Sequence, residues 1–300
     1  MTTTAQYSLR DILLTALAPV IWGSTYIVTS QVLPPDRPFT AALLRVLPAG
    51  LVLILWWRRW PEKAAWWKLV ITGILNIGAF QALLFVAAYR LPGGLAAVIG
   101  AIQPLLVMLL AWGIDRQRTS AGAVIAALCG VAGMALLLLA PNTARDPVGI
   151  LAAFLGAISM ALGTWLSRRW TISLPVLALT GWQLFIGGLV LAPVAFLVDA
   201  PLPALTGAQI AGYAWLCVAG AMLAYGLWFR GIRRLTPVAV SSLSLLSPVT
   251  AVILGWALLG QSVQGSALVG MAMVLCSVLA IQRASAPART QNARALAKMR

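Results

Sequence analysis

Ten stretches of the chain are almost wholly apolar, each about 20 residues long and bounded by charged or proline-rich breaks. They cover residues 12–33, 39–57, 67–89, 95–114, 119–140, 148–167, 175–198, 208–229, 237–259 and 263–282. Runs of this length match the ~30 Å hydrocarbon core of a bilayer crossed as a helix. Alternating strands of a membrane barrel would be only about 10 residues long. Connectors such as Pro34-Pro35-Asp36-Arg37-Pro38, Arg90-Leu91-Pro92-Gly93-Gly94 and Gly260-Gln261-Ser262 leave no room for a domain outside the lipid. Arg10-Asp11 leads straight into a full-length run without a clear cleavage site, so no removable signal is expected. The pattern predicts an all-α polytopic membrane protein with ten transmembrane helices.

Composition agrees. Of 300 residues, 61% are apolar and 9% charged, against about 45–50% and about 25% in soluble domains. Mean hydropathy is +0.95. A soluble fold of this length leaves roughly a quarter of its unfolded surface wet and could not hide this much apolar area. Disorder needs low hydrophobicity and is excluded as well.

Charge orients the helices. The net charge of +15 comes from 21 Lys and Arg against 6 Asp and Glu. With the N-terminus inside, 17 of these cations fall in cytoplasmic segments and three, Arg37, Arg90 and Arg145, in external loops; Arg45 lies inside the second run. This asymmetry predicts a bacterial inner-membrane protein with both termini cytoplasmic. It also accounts for the basic character without a nucleic-acid partner. The polar, basic stretch 284–300 reads as a solvated, disordered tail.

A repeat is visible at an offset of 144 residues. Arg90-Leu91 falls on Arg234-Leu235, Pro104 on Pro248, Leu110 on Leu254 and Trp112 on Trp256, with Phe85 on Phe229 just upstream. The match divides the chain into five-helix units, residues 1–140 and 147–283. Five is odd, so the second unit must enter the membrane from the opposite side. Two inverted units around a central cavity are the architecture of many secondary transporters, because equivalent halves can exchange conformations and open opposite faces in turn.

The chain resembles the drug/metabolite transporter superfamily, EamA type. The resemblance rests on Trp22-Gly23-Ser24, on the Arg-Leu…Pro pattern ending at Pro104 and Pro248, and on Gly260-Gln261-Ser262-Val263 before a glycine-bearing last helix. It covers about residues 12–282, although Gln261 stands where the family often has Glu. It implies a basket of helices 1–4 and 6–9 around a cavity, with helices 5 and 10 outside. Among the family's branches it suggests the amino-acid exporters, including those for aromatic amino acids.

Residue chemistry narrows the function. No histidine is present, and Cys129, Cys217 and Cys276 are scattered through apolar runs. Histidine-based nucleophilic sites and zinc motifs are thereby excluded, and no metal or cofactor is expected. No Asp or Glu lies deep in a run, whereas proton-coupled pumps place a titrating group there. Arg45 is open to three readings: a snorkelling anchor, a structural partner or a ligand. Candidate substrate-binding residues are the polar and aromatic side chains inside the runs: Trp22, Tyr26, Asn76, Phe80, Gln81, Gln103, Trp165, Tyr225, Trp228, Ser244 and Ser247. Pro104 and Pro248 are expected to break their helices, freeing backbone groups. The leading expectation is an exporter of small neutral or zwitterionic metabolites, amino acids above all, whose partners are the solute and the bilayer. The alternatives are an exporter of drugs or other organic solutes and, outside transport, a membrane-embedded enzyme or a scaffold. The sequence leaves oligomeric state open.

Overall fold

A computed structural model describes residues 8–90, 99–117, 119–138, 146–260 and 265–285. The tail beyond 285, the connector after Arg90, the start of the fourth run and the loop after Gly260 lie outside the described residues. Among those described, all regular structure is helical. Helix α1 is Leu9–Gln31 and α2 is Pro38–Trp57. Helix α3 runs continuously through Trp66–Gly73, Ile74–Ala79 and Phe80–Arg90. Next come α4 (Gln103–Gly113), α5 (Ala121–Leu138), α6 (Pro147–Arg169) and α7 (Val176–Val198). Helix α8 is Gly207–Arg234, α9 is Pro237–Leu259 and α10 is Gly265–Ser285. In lipid every backbone N–H and C=O must be satisfied within the protein, and helices do this segment by segment. Polar side chains start several of them: Ser8 accepts from Arg10 N, Asp146 from Val148 N and Gly149 N, and Thr206 forms a reciprocal cap with Gln209.

The boundaries differ from the hydropathy reading chiefly at α8. Its last turn carries Arg230, Arg233 and Arg234 in helical conformation, because Arg230 pairs with Asp11 and Arg233 donates to Ile172 O.

Helices at equivalent places in the two halves pack antiparallel. Contacts climb α2 from Leu47 through Gly50 to Leu53 while they descend α7 from Gly188 through Phe185 to Gly181. Gly50 with Gly188, and Leu47 with Phe185, are equivalent positions offset by 138 residues. Gly50 therefore admits the backbone at Phe185, and Gly188 admits Leu47, the equivalent residue of the other helix. A Cβ on Gly50 would lie 2.5 Å from Phe185 N, and one on Gly188 would lie 2.8 Å from Leu47 Cβ. Helices α5 and α10 form a second antiparallel seam, with Gly130 at Ser277, Gly133 at Met273 and Gly270 at Leu137. Small residues let these backbones approach closely, the usual basis of packing in a bilayer. The remaining contacts exchange between halves: α3 packs on α6 as α8 packs on α1, and α4 on α6 as α9 on α1.

The local irregularities repeat too. A π-helical turn interrupts α3 at Ile74–Ala79 and α8 at Val218–Leu223, 144 residues apart. Helix α4 starts after a turn at 101–102, and α9 breaks at a turn at 244–245. Pro104 sits two or three residues beyond the first turn and Pro248 three or four beyond the second. A proline ring clashes with the carbonyl four residues earlier, so the break falls upstream of the proline itself.

One end of the bundle carries the starts of α2 and α6 and the ends of α1, α3 and α7. Arg90–Asp146 (3.2 Å) and Arg37 Nε to Pro201 O (3.0 Å) join elements there. The other end carries the start of α1 and the ends of α6 and α8, and is tied by Asp11–Arg230, Asp115–Arg169 and Arg168 donating to Arg233 O.

Candidate functional site

A cavity of about 680 Å³ opens at the first of these ends. It is lined from α1, α2, α3, α4, α6, α8 and α9, with none of its walls from α5 or α10. On α1 the lining reaches from Leu33 down to Trp22. At 1.5 Å per residue this is a depth of ~15 Å, about half the hydrocarbon thickness. The volume lies within the range of small-molecule sites.

Eight of the eleven candidates line it: Trp22, Tyr26, Phe80, Gln81, Gln103, Tyr225, Ser244 and Ser247. The floor is an interlocked group. The Trp22 ring packs at 4.9 Å from Tyr225, whose hydroxyl meets the Gln81 amide at 3.0 Å. Trp22 Nε1 donates to Gly220 O at 2.9 Å. The π-turn of α8 makes that carbonyl available: Ala224 N–H bonds Ala219 O and Ala221 O instead of the Gly220 O it would meet in a regular α-helix.

Three candidates lie elsewhere. Asn76 is fully buried between helices, its amide donating to Ser167 Oγ (2.9 Å) and Gln183 Oε1 (3.0 Å). An amide in hydrocarbon must find a partner, and Asn76 finds protein rather than solute. Trp165 sits at the closed end, donating to Asp115 Oδ2 at 2.6 Å with the Arg169 guanidinium 5.2 Å over its ring. Trp228 is buried behind Trp22 at 5.2 Å and does not reach the cavity.

The residue that hydropathy could not place is Arg45. It does not snorkel: it is only 3% exposed and is among the residues that line the cavity. Nη2 donates to Gly220 O at 3.1 Å, while Nε has no partner. Thr25 Oγ1, Thr29 Oγ1, Gln81 Oε1 and Gln103 Nε2 also lie buried without partners along the same walls. Buried polar atoms are ordinarily paired. Five of the residues that line this cavity each hold one that is not. Thr25 and Thr29 were legible in principle as the polar stripe of α1. Phe85 and Met160, which complete the apolar wall, carry no signal that separates them from ordinary lipid-facing residues.

The model of the EamA-like transporter family matches this chain twice, at residues 9–139 and 147–283. The chain belongs to that family. Among its EamA-like relatives, Protein PecM of Dickeya dadantii is 42% identical over 282 residues, covering 93% of this chain and 94% of PecM. The uncharacterized inner membrane transporter YedA of Escherichia coli is 27% identical, with 87% of each chain covered. A solved crystal structure shares the fold with a TM-score of 0.79 at 20% identity, covering 92% of this chain and 97% of the other. The protein is thus a multi-pass membrane transporter of the drug/metabolite type.

Proposed function

We propose that this transporter moves small zwitterionic or neutral metabolites, amino acids and aromatic ones in particular, out of the cell across a bacterial inner membrane by alternating access. The observation that carries the reading is the half-depth cavity with aromatic walls and unpartnered polar atoms, open at one end and tied shut at the other. Trp22, Tyr26 and Phe80 offer flat apolar surface to a side chain, while Gln81, Gln103 and the freed backbone offer partners to polar ends. Helix ends rich in Arg and Lys lie at the closed end. With those in the cytoplasm, this conformation faces outward. The name of YedA as an inner membrane transporter supports the location. No carboxylate lies at mid-depth among the described lining residues, which favours movement down a gradient.

The test is solute flux through the purified full-length protein in proteoliposomes at zero membrane potential, comparing neutral, aromatic and charged amino acids with organic cations. Flux of neutral and aromatic amino acids without an imposed proton gradient is the expected result. Flux confined to organic cations, or obligatory dependence on a proton gradient, overturns it.

A further inference from the structure

Arg45 presents a problem that the fold alone does not solve. Its side chain is sequestered inside the bundle with a single protein hydrogen bond. None of the ion pairs among the described residues includes it. Its electrostatic neighbours are the phenol groups of Tyr225 and Tyr26, neither of which carries charge at neutral pH. Asp36 is the one carboxylate among the described lining residues; it sits at the mouth and forms no ion pair with Arg45. A buried cation without a counter-ion is strongly unfavourable in a low-dielectric site, and such groups inside membrane proteins mark solute paths.

The repeat supplies an internal control. By the offset of α2 on α7, the equivalent of Arg45 is Gln183; by that of α3 on α8, the equivalent of Gly220 is Asn76. The same contact is therefore built twice. In one half Arg45 Nη2 bonds Gly220 O at 3.1 Å; in the other Asn76 Nδ2 bonds Gln183 Oε1 at 3.0 Å. Each joins α2 or α7 to the π-turn of its neighbour. The neutral version joins the helices at a similar distance, so a contact at this position does not require a cation. What the charged version adds is a guanidinium whose Nε has no protein partner, on a residue that lines the cavity. A guanidinium fork fits a planar carboxylate and gains most where water is scarce.

We propose that Arg45 is the anchor for the carboxylate of the carried solute, with the organic portion lying against Trp22 and Phe80. This assignment rests on the transport reading above but can fail separately from it. Gln103 Nε2 and the Thr25 and Thr29 hydroxyls supply further donors along the same wall.

The experiment measures the thermal midpoint of the full-length protein in detergent at constant ionic strength. Its probes are 3-phenylpropionate, the isosteric 3-phenylpropanamide, phenethylamine and chloride. The variants are Arg45→Gln, which copies the other half, and Arg45→Lys. In the wild type the acid should raise the midpoint with an apparent affinity at least tenfold above that of the amide or the amine. Arg45→Gln should reduce the acid to the level of the amide, and Arg45→Lys should retain part of the preference. If Arg45→Gln fails to fold, the acid–amide comparison in the wild type and Arg45→Lys still decides. Equal stabilisation by acid and amide, an acid effect that survives Arg45→Gln, or full competition by chloride at equal concentration overturns the proposal. Flux on the same preparations separates the two readings. Acid binding that depends on Arg45 with no solute crossing keeps the anchor and removes the transport reading. Amino-acid flux indifferent to Arg45→Gln keeps transport and removes the anchor.

Discussion

Gln81 and Tyr225 occupy the same position in the two repeats, 144 residues apart, and they bond directly to each other at 3.0 Å. Two equivalent points can touch only where the symmetry axis passes between them. The bond therefore marks the pseudo-two-fold axis, and it does so at the floor of the cavity, beside Trp22. The pair is also asymmetric in chemistry, an amide facing a phenol.

Breaking this pair should affect transport more than folding. Gln81→Leu removes the partner of a hydroxyl next to the cavity, where a solute or water can replace it. Tyr225→Phe leaves the buried Gln81 amide without any protein partner, at a cost of about 1–3 kcal/mol. Flux should fall by about tenfold in Gln81→Leu, equivalent to one hydrogen bond lost at the barrier. A double-mutant cycle on thermal stability should give a coupling of about 0.5–1.5 kcal/mol. Wild-type flux in both single variants would remove the pair from the solute path.

Asn76 should behave in the opposite way. Its bonds to Gln183 and Ser167 tie α3 to α7 and α6, and a Cβ on Gly163 would collide with Asn76 Oδ1. Asn76→Ala is expected to destabilise by about 1–3 kcal/mol, through the stranded Gln183 amide, with the KM for solute unchanged. Gly163→Ala should be severe alone and mild in the Asn76→Ala background, because the colliding atom is then gone. Thermal unfolding of the four proteins measures the coupling.

The contrast between these two amides shows how far sequence can reach. Helix number and the inverted repeat were legible because lipid enforces long apolar runs, and because Pro104 with Pro248 and Trp112 with Trp256 stand out against an apolar background. The site was legible in part, since a polar side chain in hydrocarbon must meet something. Pattern alone does not tell a protein partner from a solute. Gln81 and Asn76 lie five residues apart on one helix, and one faces the cavity while the other meets Gln183. The π-turn at 74–79 contains Asn76 and ends two residues before Gln81, and it changes the helical phase. Arg45 was hidden for the related reason that a helix apolar all round has no readable inner face.

The α2–α7 seam depends on glycine. At Gly50 a methyl group would sit 2.5 Å from Phe185 N and 2.8 Å from its Cα, both backbone atoms that cannot rotate away. Gly50→Ala must therefore push the helices apart, and a loss of about 1–3 kcal/mol is expected from overpacking. Gly113→Ala meets nothing within 4 Å and is the control; its melting temperature should match or exceed that of the wild type. Size-exclusion profiles after graded heating distinguish them.

The pH dependence of stability should bear the mark of Asp146. This residue caps α6, and the Gly149 N–H, followed by the Arg90 guanidinium, holds its carboxyl below the usual range in spite of some desolvation. A depressed folded-state value means that the ionised form is bound more tightly in the folded protein. Its contribution is fully present above the unfolded value of about 3.9 and is lost as pH falls through the lower, folded value. Asp146→Asn keeps an acceptor for the helix start but removes the charge that Arg90 faces. The wild type should therefore be the more stable protein near neutral pH, and the gap should close below about pH 4. Thermal melts of both proteins in detergent between pH 7 and the acid limit check this. A gap that is constant across the titration would assign Asp146 to capping alone, with no part for its ion pair across the open end of the bundle.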